Sequence, residues 1–93
     1  MDNFTLKLSA TATHDLDQFE DKVARIILNK MAILKENPFP MGKLIKKIKG
    51  KKSTFYRLRV DKYRVFYSIE KSDAVVILKV VGKKDADRFI KKL

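Results

Sequence analysis

Apolar residues recur along this chain with two periods, and each change of period marks a change of element. Phe4-Thr5-Leu6-Lys7-Leu8-Ser9 alternates, which predicts a short strand with Phe4, Leu6 and Leu8 turned inward. From about residue 12 to 36 the spacing becomes three and four. Leu16, Phe19, Val23, Ile27, Met31 and Leu34 form an apolar stripe there, with Ala24, Ile26 and Leu28 beside it. Ser9 or Thr11 can open this helical stretch, and Asp15 and Asp17 suit the positive end of its dipole. The stripe is long for one helix. Asp17-Gln18-Phe19-Glu20 has the form of a capping box, so a short helix followed by a longer one is expected, an α-hairpin laid on a sheet.

Asn37-Pro38-Phe39-Pro40-Met41-Gly42 stops the helix, because Pro38 biases Asn37 away from helical ψ and neither proline can donate a backbone bond. Leu44 to Lys49 then predicts a second strand with Leu44, Lys46 and Ile48 on one side, closed by Gly50 and the basic turn Lys51-Lys52-Ser53. The stretch from Phe55 to Ile69 holds two alternating runs rich in aromatic and β-branched residues, split by Asp61-Lys62: a β-hairpin. After the turn Lys71-Ser72-Asp73, Ala74 to Val81 is apolar on both faces except at Lys79, as befits an interior strand. Gly82 ends it. Lys83 to Leu93 predicts a short helix with Ala86, Phe89, Ile90 and Leu93 along one edge. The expected fold is a single α+β domain over 1–93: an N-terminal strand, an α-hairpin, a mainly antiparallel twisted sheet with the helices against one face, and a short C-terminal helix.

The hairpin carries the chemistry. With a two-residue loop at Asp61-Lys62, Val60 pairs with Tyr63, Leu58 with Val65 and Tyr56 with Tyr67, which builds one apolar face and makes Tyr56, Tyr63 and Tyr67 core candidates. The other face carries Arg57 opposite Phe66 and Arg59 opposite Arg64. Like charges directly across a strand pair are destabilising, so this face is either a solvated surface or a phosphate-binding one; an anion would resolve the repulsion. Phe66 is then a stacking platform or a packing residue.

Charge supports the phosphate alternative. The 93 residues carry a net charge of +11; residues 1–42 hold 5 Lys/Arg against 6 Asp/Glu, and residues 43–93 hold 17 against 5. A net of −1 in the first part and +12 in the second is the footprint of nucleic-acid binding, which ribosome surfaces, anionic lipid and acidic proteins also attract. Lys46, Lys47, Lys49, Lys51 and Lys52 belong to that basic half, although lysines on an edge strand also block strand addition. The chain has no cysteine and one histidine, His14, placed near the helix start; nothing supports a metal or cofactor. Asp85 and Asp87 suit the start of the last helix as dipole partners. Without an apolar run of membrane-spanning length or a signal-peptide start, the expected location is cytoplasmic and off the membrane.

These residues resemble the RelE/ParE superfamily, the toxin halves of type II toxin–antitoxin pairs. The resemblance runs nearly end to end: Asp15-Leu16, Phe19, Val23, Ile27, Met31, Leu34 and Pro38, then Leu44 and Lys49-Gly50, and most sharply Tyr56-Arg57-Leu58-Arg59-Val60, Tyr63-Arg64-Val65-Phe66-Tyr67 and Val81-Gly82-Lys83-Lys84. In the RelE branch it implies a toxin that cuts messenger RNA in the ribosomal A site without a metal. It places the catalytic basic residues at Arg57, Arg59, Arg64 and Lys84. Lys46, Lys47, Lys49, Lys51, Lys52, Lys83, Arg88, Phe66 and Phe89 are left as candidate RNA or ribosome contacts. The family often has a C-terminal Tyr and an Arg where this chain has Phe89 and Lys84. Phe cannot move a proton, and Lys lacks the bidentate fork. The ParE branch, which shares the fold but acts on DNA gyrase, is therefore the alternative, with a non-cleaving RNA- or antitoxin-binding relative as a third. The expected partners are an acidic antitoxin, the ribosome and mRNA.

Overall fold

Ser9 is where the chain leaves its first strand for its first helix, and one hydroxyl makes both bonds of the change. In the structure, a computed structural model describing residues 3–92, Ser9 Oγ accepts the Ala12 amide at 3.0 Å and donates to the Leu78 carbonyl at 3.2 Å. β1 (Thr5–Leu8) therefore gives way at once to α1 (Ala10–Asp17), whose first amides need such a cap. There follow α2 (Asp21–Met31), a 3-10 turn (Ala32–Lys35), β2 (Ile45–Lys49), β3 (Thr54–Val60), β4 (Tyr63–Glu70), β5 (Ala74–Gly82) and α3 (Lys83–Lys92).

The strands form one mixed sheet in the order β1-β5-β4-β3-β2. β1 runs parallel to β5, and the other neighbours are antiparallel. The expected α+β architecture is therefore present. Ala12, Leu16, Ile27, Met31 and Leu34 pack one face of this sheet through Ile45, Leu58, Val60, Val65, Tyr67, Val75, Ile77 and Val80. Each large apolar side chain fully buried there is worth roughly 1.5–3 kcal/mol, so the helical stripe is what docks α1 and α2. Phe19 and Val23 join at its margin, whereas Ile26 and Leu28 face solvent. Tyr67, fully buried, donates its hydroxyl to the Pro38 carbonyl at 2.7 Å, which ties the proline loop to the sheet.

Five local expectations need correction. Asp17 ends α1 rather than capping α2, whose N-cap Glu20 makes no side-chain cap bond. Asp15 is no dipole partner. β1 stops opposite Ile77, which leaves the next amides of β5 without a strand, and Asp15 fills that gap: Oδ2 accepts the Val80 amide at 2.9 Å and Oδ1 takes Lys79 Nζ at 2.9 Å. β2 begins at Ile45, so Ile45 and not Leu44 sets its core face, and Leu8 at the end of β1 is exposed. Finally, α3 lies across the opposite sheet face, where Phe89 packs on Phe66 with ring centroids 4.8 Å apart.

The hairpin loop has the expected two residues, with Asp61 at φ +51°, a left-handed position that Asp tolerates better than most. Among the described residues no helix is long and apolar enough to cross a membrane.

Candidate nucleic-acid interface

Alternation along β3 sends Tyr56, Leu58 and Val60 to the helix-covered core and Arg57 and Arg59 to the other face. The register pairs Tyr56 with Tyr67, Arg57 with Phe66, Leu58 with Val65, Arg59 with Arg64 and Val60 with Tyr63, as the alternation predicts. Across the sheet this makes one row of Lys46, Arg57, Phe66 and Lys79, and beside it a second row of Arg59, Arg64 and Val81. Three guanidinium groups from two neighbouring strands thus share one face.

They are held in different ways. Arg64 is only 7% exposed, and its Nη1 donates to the backbone carbonyls of Asp61 at 2.9 Å and Tyr63 at 2.8 Å, so the hairpin turn itself carries the charge. Arg57 Nη2 donates to the Lys43 carbonyl at 2.8 Å, while its Nε is buried with no hydrogen-bond partner among the described residues. Arg59 is exposed. No carboxylate balances the three: the single ion pair among the described residues joins Lys79 to Asp15. Desolvation by burial, then the charges of Arg64 and Arg59, push the Arg57 pKa below its ordinary value. Desolvation and then Arg59 do the same at Arg64. Guanidinium groups stay protonated in proteins, so these shifts describe charges kept under unfavourable conditions rather than a proton acceptor. A phosphate placed among them would supply the missing counter-charge and an acceptor for Arg57 Nε.

The other candidate residues divide by position. Lys83 and Lys84 are exposed in the first turn of α3, at the hairpin-turn end of the sheet, where the Lys83 amide bonds the Lys62 carbonyl at 2.7 Å. Lys46 shares the arginine face, whereas Lys47, paired with Tyr56, shares the core side of β2. Lys49, Lys51 and Lys52 lie at the far end of β3, about 17 Å from Arg59 at 3.3 Å per residue. Arg88 is exposed beside Lys79 and Phe89. Phe66 is fully buried beneath Phe89, so the open alternative resolves: it is a packing residue and offers no free ring to a base. His14 is exposed in the last turn of α1 rather than near its start. Sequence reasoning missed Lys43, which holds Arg57 through a carbonyl that any residue supplies. It also missed Asn29 and Lys30, which meet Arg59 across a cavity and carry no motif. Among the described residues no three His, Cys, Asp or Glu side chains are grouped to hold a metal ion.

The family profile described as the ParE toxin of type II toxin–antitoxin system, parDE, matches residues 6–93. No curated protein sequence matches the chain. Solved structures do. The archaeal RelE–RelB complex from Pyrococcus horikoshii OT3 contains a chain 27% identical, with a TM-score of 0.72 over 87% of this chain and 96% of that one. The toxin–antitoxin complex RelBE2 from Mycobacterium tuberculosis shares the fold at 23% identity and a TM-score of 0.70, over 86% and 98%. The intact Escherichia coli RelBE complex does so at 21% and 0.58, over 86% and 95%.

Proposed function

The chain belongs to the ParE toxin family of type II toxin–antitoxin systems, and from that premise we propose that it cuts messenger RNA in the ribosomal A site. The observation that carries this reading is the arginine face, above all the buried Arg57 Nε left without a partner near the like charges of Arg59 and Arg64. RNA brings its own nucleophile. The 2′-hydroxyl loses its proton and bonds to phosphorus, the bond from phosphorus to the 5′-oxygen breaks, and that oxygen takes up a proton. What the protein must add is alignment and positive charge around a pentacoordinate phosphate. Arg57 and Arg64, each fixed by backbone carbonyls, present preorganised donors; Arg59 and Lys84 add exposed charge. One donor aimed at developing charge is worth roughly a hundredfold or more in rate.

An acidic antitoxin is the proposed natural inhibitor. The similar Pyrococcus horikoshii protein was solved with RelB, and an acidic segment suits a chain of net charge +11. Gyrase inhibition is the second reading, favoured by the ParE profile and by Phe89 where the family often has Tyr. Purified protein added to stalled ribosomes decides between them. A-site cleavage that Arg57→Ala or Arg59→Ala lowers at least a hundredfold supports the ribonuclease. Cleaved-DNA complexes of gyrase with intact messenger would replace it.

A further inference from the structure

Around the edge of β3 from the arginines lies a cavity of about 590 Å³. It exists because β2 begins only at Ile45, opposite Leu58, so the last residues of β3 lack a full strand neighbour; only the Arg59 amide is taken, by the Leu44 carbonyl at 2.8 Å. Leu44 and Val60 form its apolar base, and α2 stands over it with Ile26, Asn29 and Lys30. Arg59 and Asp61 close the side next to the hairpin turn. Ile26, beside the apolar stripe of α2, is 50% exposed here.

Arg59 is the point of continuity, for it lines this cavity and also faces Arg64 across the sheet. A strand of RNA held by a phosphate on the arginine face must direct a neighbouring base somewhere, and this opening is contiguous with that face. Its size lies in the range of small-ligand sites. Ile26, Leu44 and Val60 can cover a flat aromatic face, while the Asn29 amide can both donate and accept at a base edge and the Asp61 carboxylate can accept. Stacking and edge hydrogen bonds of this kind are how unpaired RNA bases are read. Lys30 and Arg59 supply charge for the flanking phosphates.

We infer that this cavity is a base-reading subsite, in which a nucleobase of the codon next to the bound phosphate packs against Ile26 and is discriminated by Asn29 and Asp61. The inference rests on the proposed ribonuclease. Its test is the relative cleavage rate of ribosome-bound messengers whose A-site codons differ by one base, for wild type, Asn29→Ala, Asp61→Asn and Ile26→Ala. All three side chains are exposed, and thermal unfolding verifies that each variant folds. Asn29→Ala or Asp61→Asn should reduce discrimination between codons about tenfold, the scale of one good base contact, and Ile26→Ala should slow all codons together. Cleavage by wild type with codon ratios unchanged in every variant overturns the subsite alone. Loss of antitoxin binding in Ile26→Ala and Asn29→Ala with codon ratios kept would overturn it too, making the cavity a protein-docking surface. If wild type cuts no codon, the ribonuclease reading fails and the subsite with it.

Discussion

Replacing Arg59 by Gln should make the protein more stable while destroying its activity. Arg59 and Arg64 are direct partners in the β3–β4 register, with no carboxylate paired to either among the described residues. Cross-strand pairs contribute about 0.2–1 kcal/mol, and two like charges place that term on the destabilising side. Arg59 is exposed, so Gln leaves no cavity behind, and it also removes one of the charges that depress the pKa values of Arg57 and Arg64. For a domain of this size 1 kcal/mol corresponds to about 4–8 °C, so the melting temperature should rise by about 1–8 °C at low ionic strength. Salt supplies a control. At 1 M the Debye length is about 3 Å, and the difference between wild type and Arg59→Gln should largely vanish. Scanning calorimetry at 20 mM and 1 M salt, beside an A-site cleavage assay, measures both halves. A melting temperature that falls at low salt, or a gain that persists at 1 M, would refute the idea that repulsion between these groups is retained for an anion.

Two other side chains give predictions of opposite sign. Tyr67→Phe leaves the buried Pro38 carbonyl without its donor and should cost about 1–3 kcal/mol, read as a lower denaturation midpoint. Burial, followed by the influence of Tyr56, raises the Tyr67 pKa, so above tyrosine's ordinary value of about 10 the phenol ionises in the unfolded chain but not in the folded one. Stability from this group is complete below pH 10 and is lost as pH rises beyond it, and Tyr67→Phe should flatten that alkaline fall. Asp15→Ala should cost about 1–3 kcal/mol, because the Val80 amide loses its acceptor and Lys79 its partner, whereas Asp15→Asn should retain part of that by keeping one acceptor; chemical denaturation of the two variants compares them.

The hairpin was legible in the sequence because two constraints agreed there. Period-two alternation assigned faces, and a two-residue loop left only one register, so Arg57, Arg59 and Arg64 fell on one side without any knowledge of the rest. The helical stripe was legible at Leu16, Ile27, Met31 and Leu34 for the same reason, since one side of a sheet needed covering. What escaped depended on contacts between distant parts of the chain. The apolar edge of α3 could have packed on either sheet face, so the burial of Phe66 beneath Phe89 was open. Asp15 suited a helix dipole, and only the parallel placement of β1 beside β5, which bares the Val80 amide, calls its carboxylate away. The burial of Arg64 is likewise hidden, because its partners are backbone carbonyls of Asp61 and Tyr63 that any sequence possesses.

The arginine face can be tested directly by following the guanidinium Nε–H resonances of Arg57, Arg59 and Arg64 by NMR while a short single-stranded RNA is added, with Arg57→Lys to assign the first. If these groups form a phosphate site, the Arg57 and Arg64 signals shift together and saturate at one oligonucleotide per chain, and inorganic phosphate added alone shifts the same two. If the Arg57 signal stays in place while the exposed lysines respond, the orphaned Nε has no anion to meet and the central claim is wrong.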